Sequence, residues 1–255
     1  MFVKRKILGV FGFILVIAGV VLGGVGLKNY MAEKNAGKLY EDLKVDMDIE
    51  PIVKLPTADA ERIDNPIDFE SLTAQYPDIY AWIRIPGTRV DYPIVQREGD
   101  NGYYLNHTID GKKRTEGSIY TEDYNSKDFE DANTVIYGHN MKNGSMFKGL
   151  HKYKDKQFFL ENSDIYIYQK DRILKYRIFA AYVYDNRHLM LSFDFEDENI
   201  FRNYLYNVLT KRDISSNINT NVDVTADDKI ITLSTCNNND KQRYLVQAVL
   251  LSIQE

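Results

Sequence analysis

The sequence has a single cysteine, Cys236, in 255 residues. One thiol cannot close an intramolecular bridge, so a disulfide-stapled fold is excluded. Histidine is nearly as scarce, with four residues: His107, His139, His151 and His188. Neither a His-x-x-His nor a His-Glu-x-x-His spacing occurs, which leaves zinc without recognisable ligands. No metal and no other cofactor is expected. The formal charge is -5, more negative still without Lys4, Arg5 and Lys6. The remaining lysines and arginines are scattered, so neither nucleic acid nor an anionic lipid surface is an expected partner. There is no internal repeat and no low-complexity tract.

Charge is missing altogether from Ile7 to Leu27, a run of 21 residues. About 20 apolar residues cross a bilayer core. The apolar part of a cleaved signal peptide is shorter, about 7 to 15 residues, so an uncleaved anchor is expected. Lys4, Arg5 and Lys6 place the tail before it in the cytoplasm and the rest of the chain outside. Gly19 and Gly23 form one G-x-x-x-G, which permits close helix packing, but glycine is common in membrane helices and this pair does not argue for a dimer. The expected organisation is a cytoplasmic tail (1–6), a transmembrane anchor (7–27), an extracellular helical and linker segment (28–68) and a folded domain (69–255). Within 28–68, Leu39, Leu43 and Met47 recur at four-residue spacing before Pro51, Pro56 and Pro66. That pattern suits a helix rising from the membrane or a solvated stalk.

From Phe69 onward a short helix, stopped by Pro77, gives way to strand signals. They run over 80–85, 90–95, 117–120, 134–137, 165–168, 173–184, 230–235 and 244–252, each rich in β-branched and aromatic residues. Eight such segments in one domain predict a mainly β fold with helices, a closed barrel. Helices are predicted over 145–153 and 195–209, the second with Phe201, Leu205, Val208 and Leu209 on one face. The tyrosine count of 19 fits half-buried strand faces.

Cys236 ends the apolar run Ile230-Ile231-Thr232-Leu233 where it enters polar Asn237-Asn238-Asn239-Asp240, at the edge of the core. Packing alone would account for an ordinary buried cysteine. Nucleophilic chemistry would instead need a thiolate or a nearby base. His139 has the same context as Cys236: it follows Thr134-Val135-Ile136-Tyr137 through Gly138 and enters a polar loop. Two strand ends on one rim would bring the two side chains together. His151 falls in a predicted helix, and His107 and His188 in loops. An acyl transfer also needs donors aimed at the developing oxyanion. Arg243 returns to the same rim on the last strand and offers a fixed fork of donors, but Lys241 has the same strand parity and competes with it.

The segment Thr232-Leu233-Ser234-Thr235-Cys236, with Tyr137-Gly138-His139-Asn140 upstream and Arg243 downstream, resembles the active-site signature of sortases, the membrane-anchored cysteine transpeptidases of Gram-positive bacteria. The T-L-S-T-C form, the long amino-terminal extension and the helix before the cysteine strand are similar to class B. The likeness covers roughly residues 69 to 253 and includes Trp82-Ile83, Ile85-Pro86-Gly87-Thr88, Asp91-Tyr92-Pro93-Ile94-Val95-Gln96 and Asp100-Asn101-Gly102-Tyr103-Tyr104-Leu105. It implies a closed eight-stranded sortase-type barrel with an amino-terminal helical extension, in a single-pass membrane protein whose catalytic domain is extracellular. It further implies that Cys236 attacks the threonine carbonyl of a carboxyl-terminal sorting pentapeptide on a surface protein and forms a thioacyl enzyme. His139 would move the protons, and Arg243 would hold substrate and oxyanion. An amine of the peptidoglycan crossbridge would resolve the intermediate. Asn101, Leu105 and Ser234 are implied substrate-groove residues. Where many class B members carry an acidic residue after the cysteine, this chain has Asn237. A thiol hydrolase, a pilin-polymerising sortase and a membrane-tethered β-rich adhesin remain the competing readings.

Overall fold

The computed structural model describes residues 21, 23–28, 30–49, 65–237 and 241–255. The expected tail and most of the expected membrane span lie outside these residues. Among the described residues no helix is long and apolar enough to cross a membrane.

Nine strands form one sheet: β1 (Ile79–Arg84), β2 (Asp91–Val95), β3 (Ile119–Thr121), β4 (Asn133–Tyr137), β5 (Asp164–Tyr168), β6 (Ile173–Asp185), β7 (Asn217–Ile218), β8 (Ile230–Cys236) and β9 (Gln242–Gln254). The order β5-β1-β2-β3-β4-β8-β9-β6 closes on itself through β5–β6 pairing, while the two-residue β7 rides on β6. The result is the eight-stranded closed barrel the strand signals predict, with β7 an addition too short to have a signal. β2 pairs with β3, and β4 with β8, in parallel; the other pairings are antiparallel.

β8 is buried on both faces, and its sequence shows why. Ile231 and Leu233 join the barrel interior with Trp82, Ile136, Val246 and Ala248. Ile230, on the alternate face, joins a second cluster formed with Val135, Leu245 and Val249 beneath a covering helix, α5 (Glu198–Leu209). That helix contributes Phe201, Tyr204, Leu205 and Val208 to the cluster. It starts at Glu198 rather than Phe195 because the Asp197 carboxylate accepts from the Asn199 and Ile200 amides, at 2.8 and 3.1 Å, and so caps it there. Further helices include α1 (Lys38–Asp46), α2 (Phe69–Gln75), α3 (Lys156–Glu161) and α4 (Leu189–Ser192). The helix predicted over 145–153 is a 3-10 helix, Phe147–Lys154. Gly149 sits at its centre, where a Cβ would stand 3.1 Å from Thr88 Cβ.

α1 is no solvated stalk. Residues 30–35 are also helical, the chain turns at Ala36-Gly37, and α1 then lies against the barrel with Tyr40 and Leu43 buried. The Tyr40 ring meets Tyr92 edge to face at 5.5 Å. Burying two such side chains stabilises the contact by about 1.5–3 kcal/mol each.

Candidate active site

Strand register places the three candidate groups side by side. On one flank of β8, Tyr137 pairs with Ser234, and the Gly138 amide donates to the Ser234 carbonyl at 3.1 Å. His139 lies two residues beyond Tyr137, as Cys236 lies two beyond Ser234, and both line one cavity. On the other flank Cys236 pairs with Arg243. His139, Cys236 and Arg243 therefore occupy one row across three adjacent strand ends. Gly138 is required between Tyr137 and His139, because a Cβ there would lie 2.5 Å from Ile119 Cδ1 and 2.7 Å from the Phe147 ring.

Hydrogen bonds fix His139 and the backbone of Cys236. The His139 Nε2 lies 2.6 Å from the Leu105 carbonyl, an acceptor, so the proton in this contact is on Nε2. The His139 carbonyl accepts from the Phe147 amide at 2.9 Å. The Cys236 carbonyl accepts from two side chains, Asn140 Nδ2 at 3.0 Å and His151 Nε2 at 3.1 Å. His151 stacks on Tyr244 with ring centroids 5.1 Å apart. Burial, and then the nearby Lys154 charge, push its pKa down to about 4, so the imidazole is neutral near pH 7 and its Nε2–H is available to that carbonyl. Arg243 faces Cys236 in the register and lines the same cavity, whereas Lys241 is exposed just ahead of β9. Placement thus separates the two cations that strand parity left equal.

The row opens into a cavity of about 220 Å³. Leu105 and Ser234 line it; Asn101 does not. The Asn101 amide is bound at both ends by Asp123, donating to Oδ1 at 2.6 Å and accepting the backbone amide at 2.7 Å. The wall also includes Glu122, Tyr137 and His188, to none of which the sequence assigned a role in the site. His188 Nε2 lies 2.7 Å from Glu122 Oε2, tying the loop after β6 to the end of β3. Burial first, and then the Glu122 charge, raise the Tyr137 hydroxyl well above the usual tyrosine range. Parity offered a signal for Tyr137, two residues before His139 on the same face, and for Glu122, two after Tyr120. His188 had none, since only the closed barrel brings its loop over the cavity. Asn237 accepts from Lys154 Nζ at 2.8 Å, so a cation meets the position where many class B members are acidic. Among the described residues no three His, Cys, Asp or Glu side chains gather as a metal site.

A closed mixed barrel presenting a thiol, an imidazole and a guanidinium on neighbouring strand ends has the groups of a β-barrel cysteine enzyme that works through acyl transfer. The model of the Sortase domain family matches residues 83–251. Sortase B of Listeria monocytogenes is 37% identical over 178 residues, 69% of this chain and 70% of the relative. The crystal structure of Staphylococcus aureus sortase B superposes with a TM-score of 0.68 at 27% identity, covering 87% of this chain and 99% of that one. A sortase B complexed with triglycine superposes at 0.63 with 30% identity, covering 72% and 85%. The chain belongs to the sortase family, and within it to the sortase B type.

Proposed function

We propose that this sortase cleaves a carboxyl-terminal sorting signal after threonine and transfers the protein to an amine of cell-wall peptidoglycan. The observation that carries the reading is the single row of His139, Cys236 and Arg243 over one cavity. The Cys236 thiolate attacks the threonine carbonyl, and the resulting oxyanion is stabilised by Arg243. As the tetrahedral intermediate collapses, the peptide C–N bond breaks, and His139 protonates the leaving amine. The thioacyl enzyme then takes an incoming amine, which gives its proton to His139, and thiolate is released. The triglycine complex of the related sortase B supports a glycine amine as acceptor. An anchor at residues 7–27, with the catalytic domain outside the cell, would put the enzyme where such acceptors are. The substrates are surface proteins bearing a sorting pentapeptide.

The test is a threonine-containing sorting-peptide library incubated with the enzyme, with and without triglycine. The expected result is cleavage after threonine and a product carrying the glycines. Cleavage without amine incorporation would make the enzyme a thiol hydrolase and overturn the transfer step.

A further inference from the structure

The amino-terminal extension makes contacts that a tether does not need. His139 sits where two loops meet: its own loop, 139–146, and the segment 102–118, whose Leu105 carbonyl lies 2.6 Å from Nε2. The helical extension is fastened to both. On the first loop, the Lys142 amide donates to Glu33 Oε1 at 3.0 Å, and Asn143 Nδ2 donates to the Ala36 carbonyl at 2.8 Å. Gly37, at φ 81°, lets the chain turn so close to this loop that a Cβ would lie 2.9 Å from Ser145 Cβ. The Met146 amide, which closes the loop at φ 54°, donates to the Tyr92 hydroxyl at 3.0 Å, and Tyr40 packs on the Tyr92 ring.

On the second segment, the fully buried Tyr40 hydroxyl donates to the Gly117 carbonyl at 2.6 Å and lies 3.0 Å from Ser118 Oγ. Gly117 in turn packs directly under the carbonyl that His139 touches: a Cβ on it would stand 2.7 Å from the Leu105 oxygen. The contacts close a circuit from Tyr40 through Gly117, Leu105 and His139 to Asn143 and back to Ala36.

We infer that the helical extension at residues 30–46 is a working part of the active site, in which Tyr40 and Glu33 are positioning residues that set the His139 imidazole by clamping the two loops that meet at it. The inference rests on the proposed proton-transfer role of His139. Proton transfer is sensitive to donor geometry, so a loop displaced by a fraction of an ångström slows the chemical step while leaving the peptide groove intact.

The experiment uses the full chain with Tyr40→Phe, Glu33→Ala and the conservative Glu33→Gln, which keeps an acceptor at Oε1. Active sites are titrated with a sorting-peptide analogue that carries a thiol-reactive group, which labels only protein with an intact groove, so that misfolded protein is excluded from the rate. The expected result is a fall in kcat of about tenfold for Tyr40→Phe and Glu33→Ala, with KM within about twofold and recovery in Glu33→Gln. Amide exchange in 139–146 should quicken in the same two variants. Unchanged kcat per titrated site, or a loss that only follows the folded fraction, would overturn the inference. Should the parent enzyme not turn over sorting peptides, the reading of its function fails separately. Exchange in 139–146 then decides the clamp, with unchanged protection in both variants sinking it.

Discussion

Two rows of side chains on one face of the same three strands end in opposite surroundings. In the lower row Val135, Thr232 and Gln247 lie side by side on β4, β8 and β9. α5 covers them, and their polar groups are turned on one another. Gln247 Nε2 donates to Thr232 Oγ1 at 2.8 Å and to the Tyr204 hydroxyl at 2.7 Å, while its Oε1 accepts from Tyr182 at 3.2 Å. Thr232 Oγ1 donates to Asn133 Oδ1 at 2.8 Å. Two same-face positions further along β8, the cover has ended and the row of His139, Cys236 and Arg243 faces the cavity. The strands treat both rows alike. What differs is the lid, so the same hydrogen-bonding capacity becomes cement under α5 and reagent beyond it.

The comparison breaks most sharply at Cys236. Cys236→Ala is expected to abolish turnover while leaving the melting temperature within a few degrees, because a part-exposed small side chain is replaced by another. Mass spectrometry for a thioacyl adduct, beside a thermal melt, checks both halves. His139→Ala should lower kcat by about 10²–10⁴-fold, the range for loss of a general acid–base group, again with little change in stability. Steady-state kinetics with a sorting peptide measures it. The lower row should respond the other way. Gln247→Leu removes three buried hydrogen bonds, to Thr232, Tyr204 and Tyr182, and is expected to cost about 1–3 kcal/mol in a denaturant titration, with kcat per folded molecule unchanged.

The smallest effect concerns His151, which belongs to neither row but holds the Cys236 carbonyl from below. Its pKa in the fold is about 4, below the ordinary histidine value of 6.5. Between those two pH values the unfolded chain takes up a proton that the folded chain does not, so stability should fall as pH drops from 6.5 toward 4. His151→Gln, which keeps a donor but does not titrate, should flatten that part of a melting-temperature profile. An unchanged slope would remove His151 as its source.

The barrel was legible because its strands are long runs of β-branched and aromatic residues broken by turn residues, and the site because Cys236 and His139 share a strand-end context. Register supplied what parity lacked, placing Arg243 opposite Cys236 and leaving Lys241 outside. The packing of α1 was harder to read. The repeat of Leu39, Leu43 and Met47 marks a helix, but its most buried side chain is Tyr40, and the face turned to the barrel runs through Ala36, Tyr40 and Leu43. An aromatic that ends in a hydrogen bond to a loop 77 residues away leaves no local periodic trace. Asn101 was named through its motif, and the structure adds that its amide is engaged with Asp123. Glu122 and His188 meet only after β3 and the loop beyond β6 are both in place.

The parallel pairing of β4 with β8 also sets when the enzyme can become active. Asn140 and Cys236 are 96 residues apart in sequence, and parallel strands need a long crossover before the first rung can form. Closing such a loop is slow compared with forming a hairpin such as β8–β9. During folding, Cys236 and Arg243 can therefore be neighbours before His139 arrives, and in that interval the thiol has no proton partner. Activity should then return on refolding with the slowest barrel-closing phase.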